Sequence, residues 1–335
     1  MQGIKKIIKN IFKRQVIILM YHRIASPSTD PWELAVSTQN FEEHLQILKK
    51  NYKVEPLSKI VEQLNKKNIK RNCIAITFDD GYADNYFTAK PLLEKYNLPA
   101  TFFITSKNID SKDEFWWDEL DKIVLQSPTL PQTLSLEING QSFFHDLADE
   151  TLLTEELQHK HKNYIAYKPE TLRSELYYKL WEYFSPMPVK EQLQLMKQVR
   201  MWAGVSEESR TEYCCMSSHQ VEVLSANNLF NLGGHTMSHP ALSYHQKEIQ
   251  YKEILMNKIY LENISGKKIN LFAYPSGNYN DSSIEILKQL HFKAAFTTQA
   301  NTVKKRSDLL ALGRFQVNNW SSDKFEQMLS KWSNY

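Results

Sequence analysis

The sequence predicts an α/β fold built on parallel strands. Short β-branched apolar runs recur along it, helix-length amphipathic segments alternate with them, and several runs end in residues able to do chemistry. Residues 16–20 read as a buried strand because the run is short, apolar and β-branched. Segments 41–50 and 57–66 space their apolar residues as helices do. Residues 73–78 form a second buried strand that ends at Asp79-Asp80-Gly81, residues 84–96 look helical despite Pro91, and 100–105 is a third strand. From about 106 to 215 the strands largely vanish. There 117–126, 150–161, 171–184 and 189–202 read as helices, and 134–138 and 141–144 flank Asn139-Gly140, a type I′ hairpin signal. This stretch reads as a mostly helical insertion without a recognisable metal or phosphate motif. The alternation then resumes, with a helix over 217–227 capped by Ser218 and a strand over 229–232 leading into Gly233-Gly234-His235. A helix over 247–263 stops near Gly266. Strands follow over 270–274, 294–298 and 311–315, with helices over 282–290 and 322–332.

With 335 residues and 42% hydrophobic content, the chain can hold a large core, as two domains or as one barrel with an insertion. Lys plus Arg number 41 against 38 Asp plus Glu, and a net charge of +3 does not suggest a nucleic-acid binder. Cys214 and Cys215 are adjacent and Cys73 sits in an apolar run, so no disulfide framework is expected and a reducing compartment is the simpler reading. No run of 18 apolar residues predicts a spanning helix, and 16–20 is too short for the core of a signal peptide; a cytoplasmic location is therefore expected. In residues 1–14, Ile4, Ile7, Ile8, Ile11 and Phe12 recur at helical spacing while Lys5, Lys6, Lys9, Lys13 and Arg14 fill the other face. Such a basic amphipathic helix suits an anionic membrane surface, here the inner face, or packing on its own domain.

Two motifs carry the chemistry. Thr77-Phe78-Asp79-Asp80-Gly81 puts adjacent carboxylates at the carboxyl end of a strand, where α/β folds build their sites. Like charges so close favour a cation beside them, although Asp-Asp-Gly can also be a plain turn. His235-Thr236-Met237-Ser238-His239 places two imidazoles four residues apart, able to converge if the segment turns like a helix. Two His and one Asp make a borderline-hard site for Zn²⁺ or another first-row ion, with positions left open for water and substrate. The second Asp is then free to act as a base.

With these residues the chain resembles the polysaccharide deacetylases of carbohydrate esterase family 4, over roughly 15–105 and 216–320. The resemblance implies a distorted barrel of about seven strands and helices, and metal-dependent removal of an acyl group, usually N-acetyl, from a sugar. It implies Asp80, His235 and His239 as metal ligands, for Zn²⁺ or for Co²⁺, Ni²⁺, Mn²⁺ or Fe²⁺, and Asp79 as base. The third motif of the family, usually Arg-x-Pro-Tyr, is matched by Ala273-Tyr274-Pro275-Ser276-Gly277. The backbone N–H of Ser276 would face the oxyanion, and Arg314 is the candidate to replace the missing Arg, with pairing to a surface acid as its alternative role. The late motif that ends in a histidine has no C-terminal match. Leu19-Met20-Tyr21-His22-Arg23 resembles instead the circularly permuted members, which makes His22 the general acid, with no clear partner Asp.

Tyr82, Tyr274, Pro275, Trp116 and Trp117 are candidate substrate contacts. Phe115-Trp116-Trp117 could stack on sugar faces or pin the insertion to the barrel. The expected substrate is an N-acetylated amino sugar in a polysaccharide or in a nucleotide- or lipid-linked glycan precursor. A non-catalytic carbohydrate-binding role and O-deacetylation or deformylation are the alternatives.

Overall fold

The computed structural model describes residues 15–69, 72–138 and 140–333. The expected basic helix over 1–14 lies outside the described residues, as does Asn139 of the hairpin signal.

The strands of the main sheet are β1 (Gln15–Tyr21), β2 (Cys73–Phe78), β3 (Ala100–Ile104), β6 (Phe230–Gly234), β7 (Leu271–Ala273), β8 (Ala294–Phe296), β9 (Val303–Lys304) and β10 (Phe315–Gln316). They pair in the order β10-β1-β2-β3-β6-β7-β8, every neighbour parallel, and β9 adds antiparallel to β1. A parallel bridge from Phe296 to Leu312 brings the β8 edge back toward the segment entering β10, so the sheet curls into a half-barrel. Both faces of β1 are buried: Ile17, Leu19 and Tyr21 pack under the helices with Phe78 and Phe102, while Val16 and Ile18 meet Ala75, Phe103 and Phe296 in the other core layer. A strand covered on both sides must read as a continuous apolar run.

Helices α1 (Thr38–Asn51) and α2 (Leu57–Asn65) link β1 to β2. A π-helical turn, Asn85–Ala89, and α3 (Lys90–Tyr96) link β2 to β3. Pro91 is the second residue of α3, which follows directly on that π-helical turn, so the helical path runs through it without a break in the αR backbone. Between β3 and β6 lie α4 (Trp116–Gln126), the hairpin β4 (Thr133–Ile138) and β5 (Gln141–Asp146), α5 (Glu155–Lys162), α6 (Leu172–Phe184), α7 (Val189–Ala203) and α8 (Ser218–Ala226). Leu120, Val124, Leu136, Leu176, Leu180 and Val199 give this stretch its own apolar core. Helices α9 (Lys247–Ser265), α10 (Asp281–Gln289) and α11 (Ser322–Trp332) complete the outer layer.

Three local readings are corrected. The cap of α8 is Ser217, not Ser218, because Ser217 and Gln220 form a reciprocal capping box. Helix α5 starts at Glu155, after Thr154 as cap, because Leu152 is held in a bridge to Thr129. The last strand is only Phe315–Gln316, because 311–314 is spent pairing with the chain around β8: Thr297 donates to the Leu312 carbonyl and Arg314 to that of Gln299. The strand β9 carries no sequence signal, being two residues long.

Candidate active site

The carboxyl ends of β2 and β6 meet at the mouth of the half-barrel. The Asp79 N–H continues the β1–β2 ladder by donating to the Tyr21 carbonyl at 3.0 Å. The chain then turns sharply through left-handed Asp80 (φ 72) and Gly81 (φ 89). A Cβ on Gly81 would lie 2.9 Å from Ile104 Cγ2, so both conformation and space require glycine here. This turn sends the two carboxylates to different partners.

Asp80 meets the histidines. Its Oδ1 lies 3.3 Å from His235 Nε2 and 3.4 Å from His239 Nε2. The 235–239 segment is not helical. Left-handed Thr236 (φ 63) and His239 (φ 59) make the turn, and the Thr236 hydroxyl accepts from the His239 N–H at 3.0 Å. His235 Nδ1 sits 2.8 Å from the Ala273 carbonyl, which can only accept, so Nδ1 carries a proton. In the neutral ring Nε2 then presents a lone pair toward Asp80. Asp80 Oδ1 is itself buried without a hydrogen-bond donor among the described residues. Two imidazole nitrogens and an orphan carboxylate oxygen, all within 4.8 Å of one another, fit a divalent cation. Burial pushes His239 down to about 4, which keeps it neutral and able to ligate. Burial alone would raise Asp80, but the neighbouring imidazoles hold it well below the usual carboxylate range.

Asp79 meets Arg314. The guanidinium donates from Nη1 to Oδ1 at 2.7 Å and from Nη2 to Oδ2 at 2.6 Å, and both side chains are buried. Arg314 is itself fixed by the Thr297 carbonyl at 3.1 Å and the Thr77 hydroxyl at 3.3 Å. Burial would raise the Asp79 carboxyl, and Arg314 more than reverses it, so Asp79 is ionised at neutral pH. Position 273 holds alanine, and the guanidinium that grips Asp79 comes from Arg314, just before β10, in a bidentate geometry that lysine could not copy.

Asp79, Asp80, His22, His235, His239 and Ser276 line one cavity of about 280 Å³. Ser276 sits in a left-handed turn (φ 53) at its rim. His22 Nδ1 is buried and has no hydrogen-bond partner among the described residues, and burial lowers its pKa.

The family model for polysaccharide deacetylase matches residues 66–178 and 204–295, more than half of the chain. The chain belongs to the polysaccharide deacetylase family. YxkH of Bacillus subtilis (strain 168), which carries a provisional polysaccharide deacetylase name, is 32% identical over 45% of this chain. The chain spans only 55% of that relative's length. A poly-β-1,6-N-acetyl-D-glucosamine N-deacetylase from Staphylococcus epidermidis is 23% identical over 96% of this chain and 85% of its own. Among solved structures, the Streptococcus pyogenes deacetylase PplD in complex with acetate shares the fold with a TM-score of 0.54 at 20% identity, covering 93% of this chain and 97% of that one. The family match runs past residue 105 to 178, deep into the helical insertion.

Not every candidate of this polysaccharide deacetylase chain reaches the cavity. Tyr82 is fully buried, and its hydroxyl donates to Asp118 at 2.7 Å and accepts from Trp117 Nε1 at 3.0 Å. Tyr274 is buried with its hydroxyl on the Leu310 carbonyl, and Pro275 is buried beside it. None of the three lines the cavity, where the sequence led them to be expected: Tyr274 continues the β7 alternation onto the core face of Phe272, and Tyr82 packs inward with Phe115 and Trp117.

Trp116 and Trp117 do line it, and they also act as anchors. Trp117 stacks on Phe115 at 4.4 Å and meets the His239 ring at a tilt, centroids 4.7 Å apart, while Trp116 packs on Phe184 of the insertion. Sequence reasoning missed Trp32 and Trp181, which complete the aromatic wall with ring centroids 4.3 Å apart. Trp32 rides on the loop after His22 and is held by its Nε1–H to the Tyr177 hydroxyl at 2.9 Å. Two lone tryptophans so far apart in sequence carry no periodic signal; only their residue type could have flagged them.

Proposed function

We propose that this chain hydrolyses the N-acetyl group of an N-acetylhexosamine in a polysaccharide or in its precursor. The observation that carries the reading is an ionised, Arg314-clamped Asp79 beside a separate Asp-His-His set, in one aromatic-walled cavity. The staphylococcal relative, which aligns with nearly the whole chain, supports an N-acetylglucosamine polymer as the substrate class. A divalent cation held by Asp80, His235 and His239, for which Zn²⁺ is the first choice, would polarise the acyl carbonyl and acidify the attacking water.

Asp79 takes the proton of that water, and Arg314 keeps the carboxylate ionised and oriented. The Ser276 N–H is the donor offered to the oxyanion, a kind of contact whose loss costs roughly 3 kcal/mol. His22 gives a proton to the departing amine; a buried imidazole with a lowered pKa is, once protonated, a strong acid. The tryptophans offer flat apolar faces to a sugar ring.

One observation favours a second reading. Among the described residues no carboxylate hydrogen-bonds to His22 Nδ1, and an O-acetyl ester, whose leaving group needs less protonation than an amine, would tolerate that better. We also propose a cytoplasmic protein resting on the inner membrane face through its basic N-terminal segment, where lipid-linked precursors are met; nucleotide-linked sugars are the soluble counterpart.

The test is release of acetate from N-acetylated and O-acetylated oligosaccharides by Zn²⁺-loaded protein. Asp79→Asn should lower kcat by roughly 10²–10⁴. Turnover that is unchanged in Asp79→Asn would overturn the assignment.

A further inference from the structure

We propose that the cleft on the far side of Trp116 is a second sugar subsite, holding the neutral N-acetylhexosamine unit that neighbours the one being deacetylated. The proposal rests on the deacetylase reading and names the form of substrate: a chain of sugars. Trp116 lines both the catalytic cavity and this second cleft of about 260 Å³. The boundary falls between adjacent residues on another segment too, since Ser238 lines the cleft and His239 the cavity. A chain of linked rings crossing the Trp116 edge would therefore pass from one space directly into the other.

The lining matches a sugar. Trp116 and Leu193 offer apolar surface, and Asn108 and Ser209 offer uncharged polar groups. Leu193 is 52% exposed, an apolar side chain on the outer surface of α7 turned to the cleft. Apolar faces with a few polar groups are what a pyranose ring requires. The strongly charged residues are largely spent on each other: Arg200 binds Glu119 at 2.7 Å and Glu207 at 3.1 Å, and Glu114 binds Arg210 at 2.6 Å. Lys107 and Asp113 remain, one of each sign. No cluster of cations is left for a phosphate or pyrophosphate carrier, so a neutral sugar is the ligand that fits.

The experiment compares a monosaccharide, methyl N-acetylglucosaminide, with the β-1,6-linked N-acetylglucosamine tetramer. Binding is followed by calorimetry on Zn²⁺-loaded protein with Asp79→Asn to stop turnover, and kinetics on the protein with Asp79 intact. The tetramer should bind about tenfold more tightly than the monosaccharide, the scale of one aromatic contact. Leu193→Asp and Ser209→Trp, one adding charge and one adding bulk at the cleft, should each remove that advantage and leave monosaccharide binding unchanged. Equal affinity for the two ligands, or variants that weaken both alike, would overturn the subsite. Absence of turnover with the length-dependent binding intact would refute deacetylation and leave the subsite standing.

Discussion

Arg314 and Asp79 form a buried, bidentate ion pair, and such a pair is strongly context-dependent: breaking it leaves a desolvated charge behind. Arg314→Met should destabilise the fold by about 3–5 kcal/mol near neutral pH. The sign with pH follows from the direction of the shift. The folded Asp79 carboxyl lies below its ordinary value of 3.8, so the stability it contributes is present above that pH and is lost as pH falls through the lower folded value. Removing Arg314 leaves burial as the dominant influence on Asp79, which raises its pKa. The acid limb of kcat/KM should therefore move to higher pH in Arg314→Met, with Arg314→Lys in between because lysine gives charge without the fork. Thermal melts and pH–rate profiles check both parts, and an acid limb that stays in place would show that Arg314 does not set the ionisation of Asp79.

At the scale of elements, the start of α4 joins the insertion to the barrel through two carboxylates, Asp118 half-buried and Asp121 buried. Asp118 accepts from Tyr82 and is pushed up to about 7 by burial, despite the pull of Arg23. Asp121, bonded to Thr29 and Gln126, is pushed to about 6 for the same reason. Between 3.8 and about 7 the folded protein holds a proton on Asp118 that the unfolded chain has released, so stability falls as pH rises through that window. Asp118→Asn keeps an acceptor for Tyr82 and removes the titration. Its melting temperature relative to the unaltered protein should therefore rise from pH 5 to pH 8; a constant difference would place Asp118 outside the pH response.

The same region shows what the sequence could and could not reveal. Strands β1, β2 and β3 were legible because burial on both faces leaves an unbroken apolar run, and the strand end at Asp79 followed from β2. Which way a side chain leaves a strand end was not legible. Tyr82 and Tyr274 sit beside motif residues, yet both side chains are fully buried, Tyr274 on the core face it shares with Phe272. Trp32 and Trp181 reach the cavity only because a loop and an insertion helix dock together, and no local pattern encodes such docking.

At the scale of the whole molecule, the candidate metal ligands come from strand ends that are not neighbours. Asp80 follows β2 while His235 and His239 follow β6, and β3 lies between those strands. A cation bound there ties separate strand ends that the unfolded chain cannot hold together, so it must stabilise the folded state by mass action. At a free concentration 100 times Kd the gain is about 2.7 kcal/mol, which should appear as a melting temperature raised by several degrees. Asp80→Asn exchanges the orphan, charged oxygen for a neutral amide, and should abolish the metal-dependent shift while leaving the fold intact. The comparison is a set of melts with Zn²⁺ added and with chelator, for the unaltered protein and the variant. A shift of equal size in both would mean that the stabilising ion sits elsewhere, and the Asp-His-His set would then lose its claim to the cation whatever the activity measurements show.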